Sequence, residues 1–416
     1  MPGARQSARL AALSVLGLGA ALATASVTAA GVFGTRNPET ALRYAPYDAT
    51  AKAKLAERLV LGPLATGGLP SAAAQEQARD LAHAALRRDP TEVTALAALA
   101  LIESVNQRND RAATMLERSE KLSRRDLQAQ LWLLERSVER GDVPGALRHY
   151  DIAMRTSRDS REKLMSVLMS ASEDPAIAAE LTRILRAAPD WRAEFLTKVA
   201  WEAPSAVTLN QVAARNLNAG DPQERQLLSR ALSRMAAMGR PDLAWQSFTR
   251  AGGSAARVQD PNFCSDTPLP PFGWQYTDNA ALRPEPCQRV PGTEATVLLM
   301  PAAPDAAGDA ATQLLHLGGG QFRLQALTGG ITAAGSTGPS VTVRCAVGNA
   351  ELLRYRLPAA PEEGRRIEVD FAVPATCGFQ WLSIQAVPGE PGEAGAAAPW
   401  ISDVKIAPIA PAAAKP

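Results

Sequence analysis

At Ala251-Gly-Gly-Ser254 the hydrophobic period of this chain changes, and no single regular architecture accommodates both sides of that point. Before it, small and apolar residues recur every three to four positions, the period of a buried helix face. After it, proline and glycine rise and apolar residues alternate with polar ones, the period of a half-buried strand. The spacing predicts a multidomain chain, α then β, with helices over 37–255 and strands over 262–410. A length of 416 residues agrees with two or three domains at one per ~150 residues. Charged residues are 21% and the apolar class 46%, much of it alanine. That is enough for cores built from small side chains and excludes a wholly disordered chain. Forty-four basic against 42 acidic residues leave a net charge of +2, so no strong basic patch is expected and no nucleic acid is among the expected partners.

Residues 1–36 form the third region. Leu10 to Phe33 is a run of 24 residues without a charge, long enough for a helix to span a hydrocarbon core, which takes ~20 residues. Arg5 and Arg9 precede it, and the positive-inside rule then leaves the N-terminus in the cytoplasm and exports the rest. The expected location is a bacterial inner membrane, crossed by one N-terminal helix, with the bulk of the chain in the periplasm. Ala23-Thr-Ala25 has the small-x-small form of a signal peptidase site, which keeps open a cleaved signal peptide and a soluble periplasmic or secreted protein. The length of the run favours the anchor. Cys264, Cys287, Cys345 and Cys377 all lie in the last part of the chain with no Cys-x-x-Cys spacing, which reads as disulfides in an oxidising compartment rather than zinc or thioredoxin-like chemistry. Three pairings are open. Cys264 with Cys287 and Cys345 with Cys377 is favoured, because the first closes a Pro-rich segment and the second joins two strand-like runs.

Within the helical region, segments align at a spacing of 34 residues. Ala78, Ala112 and Ala146 form one column, Ala82, Leu116 and Tyr150 a second, and Ala85, Ser119 and Ala153 a third; Pro90, Arg124 and Arg158 fall at the helix-ending position. Gly141-Asp142 stands where a first helix would turn into a second. Ala41 and Pro46 fit a preceding unit if Leu61 to Pro70 is an insertion. Ile177, Leu181, Ile184 and Pro189 fit a compressed unit, and Gly239, Ala244, Phe248 and Ala251 a terminal one. The pattern resembles the tetratricopeptide repeat (TPR), in which small residues let two helices of a hairpin approach and the next hairpin covers what one cannot bury alone. The resemblance implies an α-solenoid of TPR-like hairpins that docks a protein partner; an irregular helical bundle is the alternative. Glu117, Glu120, Glu135 and Glu139 interleave with Arg118, Lys121, Arg136 and Arg140 at helical spacing, the pattern of a solvated face with weak ion pairs. His83 and His149 lie apart with no second ligand beside either. Trp132, Trp191, Trp201 and Trp245 are expected to pack between helices.

In the last region, Phe322, Leu324 and Ala326 alternate with Gln321, Arg323 and Gln325, and Val341, Val343, Cys345 and Val347 alternate with Thr342, Arg344 and Ala346. Further runs at Leu352–Leu357, Ile367–Val373, Phe379–Ala386 and Trp400–Ile406 predict an antiparallel β-sandwich. Parity groups Cys345 with Val341 and Val343, and Cys377 with Phe379 and Trp381, as buried faces. The order of Phe272-Gly-Trp-Gln-Tyr276, Gly318-Gly-Gly-Gln-Phe-Arg-Leu324 and Trp400-Ile-Ser-Asp-Val-Lys-Ile406 is similar to the jelly-roll carbohydrate-binding modules. That resemblance implies aromatic rings stacked on sugar, for which Trp274, Tyr276, Trp381 and Trp400 are the ligand-binding candidates. One carboxylate, Asp403, is poor material for calcium, and no metal site is expected. His316 reads as structural. The stretch 389–398 is Gly, Pro and Ala rich, and 411–416 reads as a flexible tail.

The sequence carries no nucleophile elbow, phosphate loop, dinucleotide fingerprint or zinc motif. No catalytic residue and no cofactor are expected. The reading is a non-enzymatic envelope scaffold whose helical array binds an envelope protein and whose β-sandwich binds a glycan, in a setting such as polysaccharide assembly or export. A polysaccharide-modifying glycosidase or lyase with an accessory β-domain is the alternative, since two distant carboxylates suffice for glycoside hydrolysis. A third reading makes the β-domain a protein-interaction module without sugar affinity.

Overall fold

The computed structural model describes residues 36–279, 281–303, 306–332, 338–387 and 398–409, together with Thr24, Thr28 and Phe33. The expected anchor, apart from those three residues, and the tail 411–416 lie outside the described residues. Among the described residues no helix is long and apolar enough to cross a membrane. The chain divides into two compact units, one ending at Leu164 and one beginning at Met165.

The first unit is helical: α1 (Pro38–Tyr44), α2 (Ala49–Ala65), α3 (Ala72–Arg88), α4 (Val93–Val105), α5 (Asn109–Leu122), α6 (Leu127–Glu139) and α7 (Val143–Thr156), followed by the start of α8 (Arg158–Ala171). Helices α2 and α3, α4 and α5, and α6 and α7 pack as hairpins, and α2 and α3 each also touch α4. Every residue of the three columns spaced by 34 lies on the second helix of its hairpin, and every one is buried. Most are alanine because the helices meet closely, so the core is filled by Ala53, Ala56, Ala82, Ala95 and Ala98 around Val60 and Ile102. Helix ends repeat as well. The N–H groups of Asp89, Ser123 and Ser157 donate to Ala85, Ser119 and Ala153 at 2.8–2.9 Å. The hairpin turn demands a left-handed residue: Gly141 has φ 71°, and Gln107, 34 residues earlier, has φ 62°. Asp142 then caps α7 by accepting from the Gly145 N–H at 3.0 Å. The segment Leu61–Pro70 is not wholly an insertion. Its first half is the last turn of α2, with Pro63 inside the helix.

The second unit begins within α8 and continues through α9 (Pro175–Arg186), α10 (Arg192–Glu202), α11 (Ala206–Asn216, π-helical over Leu209–Ala213), α12 (Pro222–Ala237) and α13 (Pro241–Arg250). The π turn presents Asn210, whose side chain accepts from Ser247 Oγ at 2.9 Å on α13. Of the helical tryptophans, Trp191 is buried edge-on against Phe195 and Trp132 donates to Ser104 Oγ at 3.0 Å. Trp201 departs from the expected packing. It is 53% exposed, and the Arg230 guanidinium lies over its ring.

Ten strands follow among the described residues: β1 (Gln275–Tyr276), β2 (Glu285–Arg289), β3 (Thr296–Leu299), β4 (Gly308–Leu315), β5 (Gly320–Gly329), β6 (Ser340–Cys345), β7 (Glu351–Arg356), β8 (Arg365–Val373), β9 (Gln380–Ala386) and β10 (Trp400–Pro408). They form two five-stranded antiparallel sheets, ordered β1-β4-β9-β6-β7 and β2-β3-β10-β5-β8. Alternate residues face inward to a common core. Ala311, Leu315, Val341, Val343, Leu382 and Ile384 come from the first sheet, and Leu298, Phe322, Leu324, Ile367, Phe371 and Ile401 from the second. Cys264 is bonded to Cys287, and Cys345 to Cys377. Helix α13 packs on the sandwich through a ring cluster in which Phe248 and Phe272 are 4.7 Å apart, Trp245 and His316 4.8 Å, and His316 and Phe379 4.6 Å. His316 is thus a packing residue.

Candidate functional site

A sandwich has two outward faces, and in this one they differ in chemistry. On the sheet β2-β3-β10-β5-β8, charges pair across strands. Arg323 grips Asp370 at 2.7 and 2.9 Å, Gln325 donates to Glu368 at 2.8 Å, and Asp403 accepts from Arg366 at 3.0 Å and Lys405 at 2.6 Å. Asp403 sits with φ 51° where β10 shifts register, and its oxygens are engaged by cations. Such exposed pairs contribute little stability, yet they leave few groups free to meet a ligand.

The sheet β1-β4-β9-β6-β7 is different. Because Leu382, Ile384 and Ala386 face the core, the pleat turns Trp381, Ser383 and Gln385 outward; on β6 the same rule turns out Thr342 and Arg344. Register builds these into rows across the sheet. One runs Gln275, Thr312, Ser383, Thr342 and Arg354; the next runs Leu314, Trp381, Arg344 and Glu351. A cleft of about 470 Å³ opens here, lined by Gln275, Thr312, Ser383, Arg344, Asn349 and Trp381 among others. Two polar links brace its floor: Gln385 donates to Asp309 at 3.1 Å and accepts from Ser340 at 2.9 Å. Arg354 holds Glu351 at 2.9 and 2.6 Å, and that hydrogen bond keeps the Glu351 carboxyl below its ordinary pKa, with Arg344 also contributing attraction.

Thr342 is fully buried in this row, and its hydroxyl has no partner among the described residues. A buried unpaired hydroxyl costs free energy that an isosteric methyl does not. Thr342→Val is therefore expected to raise stability by about 1 kcal/mol, read as a higher urea midpoint with an unchanged slope. A lower midpoint would show that the hydroxyl is satisfied in solution.

The four aromatics proposed from the sequence do not come together. Trp274, 2% exposed, donates to the Asp260 carbonyl at 3.0 Å and packs against Phe263 at 4.8 Å. Trp400, 1% exposed, lies over Gly329 and Gly364. Neither offers a ring face to solvent. Tyr276 is half-buried and packed against the core, and burial raises its hydroxyl pKa well above the ordinary value, with the Asp260 charge adding to the effect. It reaches the cleft rim. Trp381 alone of the four lies on the open face. Grouping it with Cys377 and Phe379 as a buried face is overturned here: strand β9 begins only at Gln380, so parity counted from Cys377 does not carry into it. Arg344, Thr312 and Ser383 were not singled out from the sequence, although the alternation of Arg344 with Val343 and Cys345 marked it as outward.

The helical unit has its own polar recess, of about 510 Å³, bordered by Glu120, Arg124, Arg136, Arg140, Arg148 and His149. Its charges are those expected of a solvated face: Arg148 pairs with Glu120 at 2.6 Å and Arg136 with Glu139 at 3.0 Å. Beneath it, His149 Nδ1 lies 2.8 Å from Gln130 Oε1, both residues buried. Burial pushes the imidazole pKa below its ordinary value, against the pull of Glu120. The unfolded state then binds a proton at a pH where the folded state does not, so stability rises with pH across that window. Lowering the pH from 7 to 5 is expected to lower the urea midpoint of the helical unit, and His149→Gln to reduce that drop. An equal drop in the variant would assign the effect to carboxylates.

No family model matches the chain, and no curated protein matches it. Among solved structures, one described as CBM4 structure and function has 12% identity and a TM-score of 0.26, covering 36% of this chain and 99% of its own. The enzymatically active domain of bacteriophage CBA120 tailspike protein 4 has 13% identity and a TM-score of 0.26, covering 38% of this chain and 24% of its own. Pseudomonas aeruginosa pilF has 16% identity and a TM-score of 0.27, covering 56% of this chain and 99% of its own. Scores this low establish neither family nor activity.

Proposed function

We propose that this protein is a non-enzymatic binding protein of the bacterial envelope: its β-sandwich holds a carbohydrate on the open face of the sheet β1-β4-β9-β6-β7, and its helical array docks a protein partner. One observation carries the carbohydrate reading. Trp381 lies half-buried on an outward sheet face among hydroxyl, amide and guanidinium groups, which is what a sugar requires: a flat apolar surface for its C–H face and hydrogen-bonding groups around the rim for its hydroxyls. The acidic groups of this face, Asp309 and Glu351, accept hydrogen bonds from Gln385 and Arg354. Two disulfides support an extracytoplasmic location. Anchoring by residues 1–36 and a role in polysaccharide assembly or export belong to the same proposal, as do domain limits at 37–255 and 262–410.

The test is a glycan array probed with the oxidised full chain, including envelope polysaccharide of the source organism. Saturable binding is expected, with Trp381→Ala weakening it about tenfold, the equivalent of about 1.4 kcal/mol. Arg366→Ala, on the opposite sheet, is expected to leave it unchanged. Silence across the array, or full binding by Trp381→Ala with an unaltered urea midpoint, would end the carbohydrate reading.

A further inference from the structure

We infer that the carbohydrate is an acidic one, bearing a carboxylate that Arg344 takes; this rests on the carbohydrate reading above. Arg344 and Trp381 are direct cross-strand partners of β6 and β9, and both line the cleft. In an antiparallel pair such partners have Cβ atoms about 5 Å apart. A pyranose laid on the Trp381 ring therefore has its edge at the Arg344 guanidinium, and a uronic acid carries its carboxylate on that edge. The planar guanidinium fork matches a carboxylate with two parallel N–H donors.

Charge on the face points the same way. Outward along β6 and β7 stand Arg344, Arg354 and Arg356, against Asp309 on β4 and Glu351 on β7. Glu351 is held by Arg354, while Arg344 has neither an ion pair nor a side-chain hydrogen bond among the described residues. On the opposite sheet Arg323 and Arg366 are each paired with an aspartate, whereas Arg344 is not. Arg344 is the cation that stands at an aromatic ring in a cleft with its donors uncommitted. Neutral glycans would leave it so.

Calorimetric titration of the oxidised full chain against two panels tests this: polygalacturonate, alginate and hyaluronate as acidic polymers, and xylan, mixed-linkage β-glucan and methyl-esterified polygalacturonate as neutral ones. Binding is expected within the acidic panel, weakening as salt rises because the pairing is partly exposed. Arg344→Gln is expected to lower that affinity at least tenfold. Arg344→Lys should lose less, since it keeps the charge without the fork, and Arg366→Gln should lose nothing. Equal or tighter binding of the neutral panel, or unchanged acidic binding by Arg344→Gln, would overturn the acidic assignment and leave the carbohydrate reading standing. Silence in both panels would remove both.

Discussion

Reduction of both disulfides is expected to unfold the β-sandwich at 37 °C while the first helical unit keeps its ellipticity. The bridges join residues 23 and 32 positions apart. By the loop-entropy relation each restricts the unfolded chain by about 3.5 kcal/mol. Together they contribute about 7 kcal/mol, comparable to the whole stability of a typical domain. Both hold parts of the sandwich that strand pairing alone grips weakly. Cys264 stands ahead of β1 in a segment without regular structure, and Cys377 lies in the turn before β9. No cysteine precedes Cys264, so the unit ending at Leu164 has nothing to lose. Urea titration with and without dithiothreitol, followed by near-UV signal for the sandwich and far-UV signal for the helices, measures this. A shift in sandwich stability below about 1 kcal/mol would mean that the oxidised and reduced unfolded states are equally restricted.

Gly329→Ala is expected to destabilise the sandwich by about 3 kcal/mol, near the upper end of ordinary overpacking. Gly329 pairs directly with Trp400 across β5 and β10, and a Cβ there would lie within the Trp400 ring envelope, 2.7 Å from Nε1. The ring has nowhere to retreat. Its far edge meets Gly364, where a Cβ would lie 2.8 Å from Cη2 and where φ is 99°. An aromatic ring laid across glycines supplies the packing that the glycines lack, which is how an otherwise weak strand position is held. The double-mutant cycle with Trp400→Phe isolates the steric cause: in the smaller-ring background Gly329→Ala should cost less than about 1 kcal/mol. An equal cost in both backgrounds would place the effect in the backbone rather than in the ring.

The helical columns could be read residue by residue because a hairpin is a local object. Ala78, Ala112 and Ala146 are buried, each on the second helix of a hairpin whose two helices pack together, so a period of 34 residues contains much of the information that determines their surroundings. Strand alternation was legible for the same reason: Phe322, Leu324 and Ala326 face inward wherever β5 is placed, as the structure finds them. The candidate site was legible only in part. Trp381 and Tyr276 were named, but the Arg344 guanidinium beside Trp381 and the hydroxyl of Thr312 were not, because they come from β6 and β4 and meet β9 only through register.

By itself, then, the sequence determined the element types, the order of helices before strands, and which residues of each helix and most strands are apolar-facing, since these follow from periods of 3.6 and 2 within short windows. Only the tertiary structure decided which tryptophans are open. Trp400 is covered because Gly329 and Gly364, distant in the chain, leave room for its ring; Trp274 is covered because the Asp260 carbonyl and Phe263 receive it. Trp381 is open because residues 377–379 lie outside any strand, so parity counted from Cys377 does not carry into β9, which begins at Gln380. A strand's alternation states that it has two faces. Which of them meets solvent depends on what the rest of the chain lays against it, and that is a long-range fact.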